Sequence, residues 1–471
     1  MQPRCPMTQD LLAPVLARID DGLDASVDRL VDVLRIPSIS TDPKYDPDVR
    51  RAAEWMAGQL TETGFDAAVR DADKHPMVVG HMKGPEGAPH ILYYGHYDVQ
   101  PADPYELWDS DPFEPAIVEA ERGKRIVARG AVDDKGQVMT FIEAFRAWMD
   151  VHGSLPIGVT VLLEGEEESG SESLEPFMTA HKDELKADAC VVCDTGMWSV
   201  DQPAITYMLR GIVSIEVKIK GPSRDLHSGM YGGGVINPIN LLAKILGDFH
   251  DESGRIQIEG FYDDVLAVGD NELTQWEGLG FDEKAFLGEI GLSTPGGEKD
   301  YSALERLWAR PTLDINGITG GYQEPGGKTV IAAEASAKIT CRLVPDQDPE
   351  KIIAGLKKFV SDRLPADFTL EIVHASGFPA RRVPTDSPYL QSGLAGLKDE
   401  YGKDALLIGC GGSIPAVGSI KDLLGIDSLL VGFGLEDDRV HSPNEKFELV
   451  CYHRGIRSNA AIMARLAGIK G

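Results

Sequence analysis

The chain has no apolar run near the ~20 consecutive residues that a membrane-spanning helix needs, so no membrane partner is expected. Positive charge is scarce. Lys and Arg number 46 against 75 Asp and Glu, a formal net charge of −29. A surface that negative repels phosphate backbones, and nucleic acid is not an expected partner. Cysteine is also sparse: Cys5, Cys190, Cys193, Cys341, Cys410 and Cys451 are too few in 471 residues for a disulfide scaffold. Cys190 and Cys193 form a C-x-x-C pair within a stretch that reads as a buried strand. Residues three apart on a strand point to opposite faces, so the two sulfurs do not converge, and no second pair completes a zinc site. Met1 to Asp10 carries Arg4 and two prolines rather than the apolar core of a secretory leader, and a cytoplasmic location is expected. Repeats and low-complexity tracts are missing too. What remains is a globular composition, 42% hydrophobic, on a chain too long for a single core.

The first third alternates helices and strands. Thr8 is placed to cap a long amphipathic helix, with Leu12, Leu16, Ile19, Leu23, Val27, Leu30 and Leu34 at helical spacing. Strand-like runs at 77–79, 90–95, 125–128, 159–164 and 189–193 alternate with helical segments at 48–64, 136–150 and 172–181. This order predicts an α/β domain with a mostly parallel central sheet. From Gly211 to Lys220 the pattern changes to strict alternation, with Val213, Ile215, Val217 and Ile219 on one face. A helix (238–249), strand material (329–344), a second helix (349–364) and a strand (368–374) follow. With 329–344 taken as two strands, this is the ferredoxin-like β-α-β-β-α-β order, with 251–327 inserted as loops and short helices. The α/β pattern returns near Ser387. The expected division is therefore a discontinuous catalytic domain, 1–209 with 385–471, interrupted by a smaller α+β domain, 210–384.

Five short stretches carry chemistry, each at or just after a strand end, where open α/β sheets hold ligands. His96 and Asp98 stand in Gly95-His96-Tyr97-Asp98, two residues apart on extended backbone and so facing the same way. Asp133 and Asp134 adjoin at a helix start. Glu164, Glu166, Glu167 and Glu168 crowd behind an apolar strand, where a bound cation would relieve their repulsion and a free carboxylate could act as a base. Asp194 follows the strand ending at Cys193, and His441 lies in Val440-His441-Ser442-Pro443-Asn444-Glu445. Singly, each is what a surface turn or a solvated acidic loop would also show. Together, two His and several carboxylates without thiolate suit Zn²⁺, Mn²⁺ or Co²⁺ in a two-metal site.

In these motifs and their order the sequence resembles the two-metal peptidase family of carnosinase, cytosolic nonspecific dipeptidase, glutamate carboxypeptidase, aminoacylase and succinyl-diaminopimelate desuccinylase. The resemblance runs from about residue 10 to the end. Gly95 to Pro101 and Asp225 to Gly233 resemble the dipeptidase branch most. It implies that Asp133 bridges two divalent ions per subunit, zinc first, with manganese or cobalt as alternatives. His96 and Asp194 would complete one shell, Glu168 and His441 the other. Glu167 would be the general base and Asp98 would orient His96. His227 would reach across a homodimer, joined through the smaller lid domain, to stabilise the oxyanion of the other subunit's reaction. Arg342 and the loop residues Gly412 and Ser413 would hold the substrate's C-terminal carboxylate, and Thr329 would also bind substrate. Two positions depart from the family pattern: Cys410, where Glu often precedes the two glycines, and Ala332, where Pro is usual.

The function these expectations imply is hydrolysis of dipeptides with a free C-terminal carboxylate, by a metal-activated water and Glu167. The rival readings are an N-acyl-amino-acid deacylase or carboxypeptidase of the same family, a two-metal phosphoesterase, and a non-catalytic binding protein. A phosphoesterase would need cationic phosphate clamps, which the motif loops scarcely offer. A binding protein would be expected to have lost ligands or the base.

Overall fold

The computed structural model describes residues 6–469. Cys5 and the side chain of Thr8, the expected helix cap, lie outside the described residues. The chain divides into two compact units, one comprising 1–207, 383–408 and 415–471, the other 208–382 with the loop 409–414.

The first unit is built on a mixed sheet. Its centre runs Gly158–Glu164, His90–His96, Ala189–Val192 and Ser428–Leu430, all neighbours parallel. These strands are apolar along nearly their whole length and buried, as strands covered on both faces must be. The flanks correct the expectation of a mostly parallel sheet. Met77–Met82 pairs antiparallel with Gly158–Glu164, Asp66–Arg70 with Met77–Met82, and Ala204–Leu209 with Ser428–Leu430. Hairpin-like flanks need no crossover helix, so helix-strand alternation does not reveal them. Helix Lys135–His152 is buried on nearly every side, and its Phe141 and Phe145 stack with Tyr93 of the central strand. The long N-terminal helix is two, Pro6–Asp21 and Leu23–Leu34, broken at Gly22, the poorest helix former in the run.

A three-stranded antiparallel sheet, Lys446–Glu448, Gly123–Val127 and Ala116–Ala120, matters for the site. Its register pairs Lys446 with Val127, which carries Glu445 to the turn that follows residue 128.

The second unit holds a four-stranded antiparallel sheet in the order Thr312–Gly320, Glu334–Leu343, Gly211–Lys220, Thr369–Phe378. Numbered along the chain this is 2-3-1-4, the ferredoxin-like order. The second strand, however, is Thr312–Gly320, inside the segment read as loops and short helices. Residues 329–344 instead supply the two-residue strand Val330–Ile331 and the single strand Glu334–Leu343. Thr312–Gly320 is a wet edge strand interrupted by a bulge at Ile315/Gly317, so it carries little alternation. Helices Pro238–Gly247 and Pro349–Ser361 bury Leu242, Ile245, Ile353 and Leu356 in a common core with Val213, Ile215, Val217 and Ile219.

Candidate metal centre and anion-binding loop

His96 ends the central strand, and the residue before it has to be glycine. A Cβ on Gly95 would stand 2.6 Å from Val138 Cγ2 and 2.8 Å from Asp134 Oδ2. Asp194 follows the adjoining parallel strand, Ala189–Val192. Asp133 lies in the turn before helix Lys135–His152, joined to Asp134 by a cis peptide bond. Glu168 sits in the short turn Glu167–Ser169 beyond strand Gly158–Glu164. His441 has a left-handed φ of 60°, in the loop that Asn444 ties to Asp109 N–H and Leu107 O.

These five side chains form two groups that share Asp133. Ligand-type atoms of His96, Asp133 and Asp194 lie within 4.8 Å of one another, and so do those of Asp133, Glu168 and His441. His96 Nε2 is 3.2 Å from Asp133 Oδ1, and His441 Nε2 is 3.0 Å from Asp133 Oδ2 and 3.2 Å from Glu168 Oε2. The His96 ring donates from Nδ1 towards Asp98, whose backbone O is 3.1 Å away and whose Oδ1 is 3.3 Å away. That leaves Nε2 as a buried lone-pair nitrogen with no hydrogen-bond partner, although oxygens surround it. An orphaned imidazole nitrogen facing carboxylates from two directions fits a divalent cation, as does an all-nitrogen-and-oxygen donor set.

The electrostatics agree. Burial, then Asp134 and Asp133, hold the Asp194 carboxyl well above its usual range. Burial also opposes charge on Asp133, yet His441 and His96 hold it low. Asp133 and Glu168 push His441 up to about 10. Burial and its carboxylate neighbours push Glu167 up to about 8. Cations among these carboxylates would remove the repulsion that raises Glu167. His441 is 54% exposed while Glu168 is 4% and His96 1%, so the cluster opens to solvent on the His441 side.

Asp98 does more than orient His96. Its Oδ2 accepts from Ser40 Oγ at 2.6 Å and from Glu168 N at 3.0 Å, and its Oδ1 accepts from Glu167 N at 3.3 Å. One carboxylate thus ties the strand end to the turn carrying Glu167 and Glu168. Gln100 Nε2 donates to Glu168 Oε2 at 2.8 Å. Glu445 was not singled out by its sequence, although it ends the His441 motif. Its carboxylate is fully buried and accepts from Arg129 Nη1 (2.7 Å), Gly130 N (3.1 Å), Val132 N (3.0 Å) and Asp133 N (3.1 Å). It shapes the turn that presents Asp133. Burial pushes its carboxyl up to about 7, against the pull of Arg129 beside it. Its only signal in sequence was adjacency to His441.

Cys190 and Cys193 are buried free thiols, with Cys190 inside strand Ala189–Val192 and Cys193 just beyond it.

The remaining expected residues lie in the second unit. The short pair Leu226–His227 and Val330–Ile331 sets His227 opposite Val330, and Ser228 N donates to Thr329 O at 3.1 Å. His227 is exposed and its Nδ1 accepts from Gly229 N at 3.0 Å, so in the neutral ring the proton resides on Nε2. Arg342 Nη1 donates to Ser413 Oγ at 3.0 Å. A residue missed in sequence, Arg210, sends Nε to Gly411 O at 2.9 Å and its backbone N–H to Gly412 O at 3.1 Å. Arg342, Arg210 and the loop 410–413 thus form one cluster.

A model of peptidase family M20/M25/M40 matches residues 92–465. The chain is 30% identical to the Cys-Gly metallodipeptidase DUG1 of Saccharomyces cerevisiae over 96% of its own length and 97% of that protein's. It is 29% identical to the Beta-Ala-His dipeptidase of Homo sapiens, covering 97% of this chain and 93% of the other. Among solved structures, an M20 family metallo-carboxypeptidase, Sso-CP2 from Sulfolobus solfataricus, superposes with a TM-score of 0.83 at 29% identity, over 94% of this chain and 99% of the other. No helix among the described residues is long and apolar enough to cross a membrane.

Proposed function

Because the chain belongs to peptidase family M20/M25/M40, we propose that it is a metal-dependent dipeptidase hydrolysing dipeptides with a free C-terminal carboxylate. The observation that carries this reading is the pair of donor groups sharing Asp133, with Glu167 beside them. His96 and Asp194 would hold one divalent cation and Glu168 and His441 the other, with Asp133 belonging to both donor groups. When bound, the two cations, zinc first with manganese and cobalt as alternatives, supply the positive charge that polarises the scissile carbonyl and eases deprotonation of a water. Glu167, one residue from Glu168 in the turn Glu167–Ser169, takes the water's proton and passes it to the leaving amine. Asp98 fixes the His96 tautomer through Nδ1 and holds the Glu167 backbone in place. His227, with its proton on Nε2, donates to the oxyanion forming in the second subunit of a homodimer. The exposed apolar residues Met230, Val235 and Ile236 that follow it support the second unit as the dimerising lid. Arg342, with Gly412 and Ser413, grips the substrate's carboxylate, which a planar guanidinium can bind through two parallel bonds, and Thr329 is a further substrate-binding residue. A cytoplasmic location fits the thin cysteine content.

The likeness to a metallo-carboxypeptidase favours one second reading, release of C-terminal residues from longer peptides. The test is metal content by elemental mass spectrometry, with amino-acid release from dipeptides, tripeptides and N-acetyl amino acids before and after chelation. About two ions per chain and chelator-sensitive cleavage restricted to dipeptides supports the proposal. Faster cleavage of tripeptides favours the carboxypeptidase reading, and cleavage of N-acetyl amino acids alone favours a deacylase. No metal and no cleavage after adding Zn²⁺, Mn²⁺ or Co²⁺ refutes all three.

A further inference from the structure

Arg210 and Arg342 stand on neighbouring strand ends, since Ile212 pairs with Arg342 and Gly211 with Leu343. Both are bound to the same loop: Arg210 to Gly411 O, Arg342 to Ser413 Oγ, and Ser413 Oγ in turn to Arg210 O. A Cβ on Gly411 would lie 3.1 Å from Arg210 Nη2, so the glycine lets that guanidinium lie flat along the loop. Among the described residues neither guanidinium forms an ion pair; their side-chain partners are the neutral Gly411 O and Ser413 Oγ. The carboxylate whose charge reaches Arg210 is the exposed Asp314, which makes no hydrogen bond to it. Cys410 is near enough to feel both cations, and burial keeps its thiol protonated, so it offsets neither. Burial and Arg342 together pull the Arg210 guanidinium down to about 10, the mark of two like charges packed without a counter-ion.

A single carboxylate brings one negative charge to this pair of positive ones. We propose that Arg210 and Arg342 form a pocket for two carboxylates, so that the preferred dipeptides end in Asp or Glu. Arg342 takes the main-chain carboxylate and Arg210 the side-chain one, with Cys410 as the neutral residue that leaves Arg210 free. This rests on the dipeptidase reading above and adds the substrate class.

The test compares kcat/KM of the metal-loaded protein on Ala-Asp and Ala-Glu with that on the neutral isosteres Ala-Asn and Ala-Gln, and on Ala-Ala. A charge-assisted bond realised only with the acidic substrates predicts an advantage of about tenfold or more, carried by KM. Cys410→Glu supplies an internal carboxylate to Arg210, and Arg210→Gln removes the cation. Each brings the acidic-to-neutral ratio towards one, with Ala-Ala turnover reporting in the same samples that the protein is folded. Neutral isosteres cleaved as well as the acidic dipeptides by the unsubstituted protein would overturn the proposal while leaving the dipeptidase reading intact. If no dipeptide is cleaved, that reading fails, and calorimetric titration with free aspartate against asparagine judges the pocket alone. Tighter binding of aspartate supports it, and equal or absent binding overturns it.

Discussion

Replacing Glu445 by Gln is the most informative perturbation outside the candidate ligand set. The substitution keeps shape and volume but removes the charge facing Arg129, which is itself 1% exposed. At pH 8, above the value of about 7 to which burial pushes the Glu445 carboxyl, breaking one partner of this buried ion pair costs ~3–5 kcal/mol, because the other charge is left without compensation. The first unit holds about 290 residues, so its unfolding entropy is ~0.6 kcal/mol/K and the loss lowers its midpoint by about 5–8 °C. Activity falls as well. Gln presents one amide oxygen where the carboxylate presented two, and the N–H groups of Gly130, Val132 and Asp133 all lean on that carboxylate. Trp108 stacks 5.4 Å from the Arg129 guanidinium, so its fluorescence follows the melt locally, alongside circular dichroism. The double variant Arg129→Met, Glu445→Met removes both charges and regains most of the midpoint, but it stays slow because the turn has lost its acceptor. A Glu445→Gln protein melting within about 1 °C of the parent, with unchanged kcat/KM, would refute the claim that this pair organises the Asp133 turn.

Three further outcomes are expected. Glu164 is fully buried with Oε2 unpartnered, and burial raises its carboxyl to about 7. The folded state then keeps a proton that the unfolded chain has lost, so Glu164 alone accounts for a loss of about 3 kcal/mol in chelated protein as pH rises from 4.5 to 8. Glu164→Gln should reduce the slope by that share in urea titrations, and an unchanged slope would assign it to other groups such as Glu167 and Glu445. Glu167→Gln should cut kcat about 10²–10⁴-fold with metal content unchanged, and full turnover would remove Glu167 from the mechanism. Mixing inactive His227→Ala and Glu167→Gln proteins should restore partial activity through hybrid dimers. A fully active monomer on a sizing column would sink the dimer proposal.

Legibility in the sequence followed burial. Gly211–Lys220 alternates strictly and its apolar residues are the buried ones, so strand and facing could be read together. The edge strand Thr312–Gly320 has no buried stripe, only Leu313 inside, and pattern reading had nothing to act on. In the site, ligand-type residues at successive strand ends were visible because the chemistry needs unusual residues there. Their supports were not. Glu445 and Arg210 act through backbone groups far away in sequence, Gly130 to Asp133 and Gly411 to Gly412, and such contacts exist only after register is set. Asp98 was half legible: its link to His96 follows from spacing, whereas its grip on Glu167 and Glu168 needs strand His90–His96 beside Gly158–Glu164.

The loop 409–414 belongs to the second unit although it is separated in sequence from 208–382 by 26 residues of the first. The chain therefore crosses between units at four places, and no single excision yields the second unit whole. A protein made from 208–382 alone would carry Arg210 and Arg342 but neither Gly411 O nor Ser413 Oγ to hold them. Grafting the Arg210–Arg342 cluster into a relative thus requires two transplanted segments chosen together.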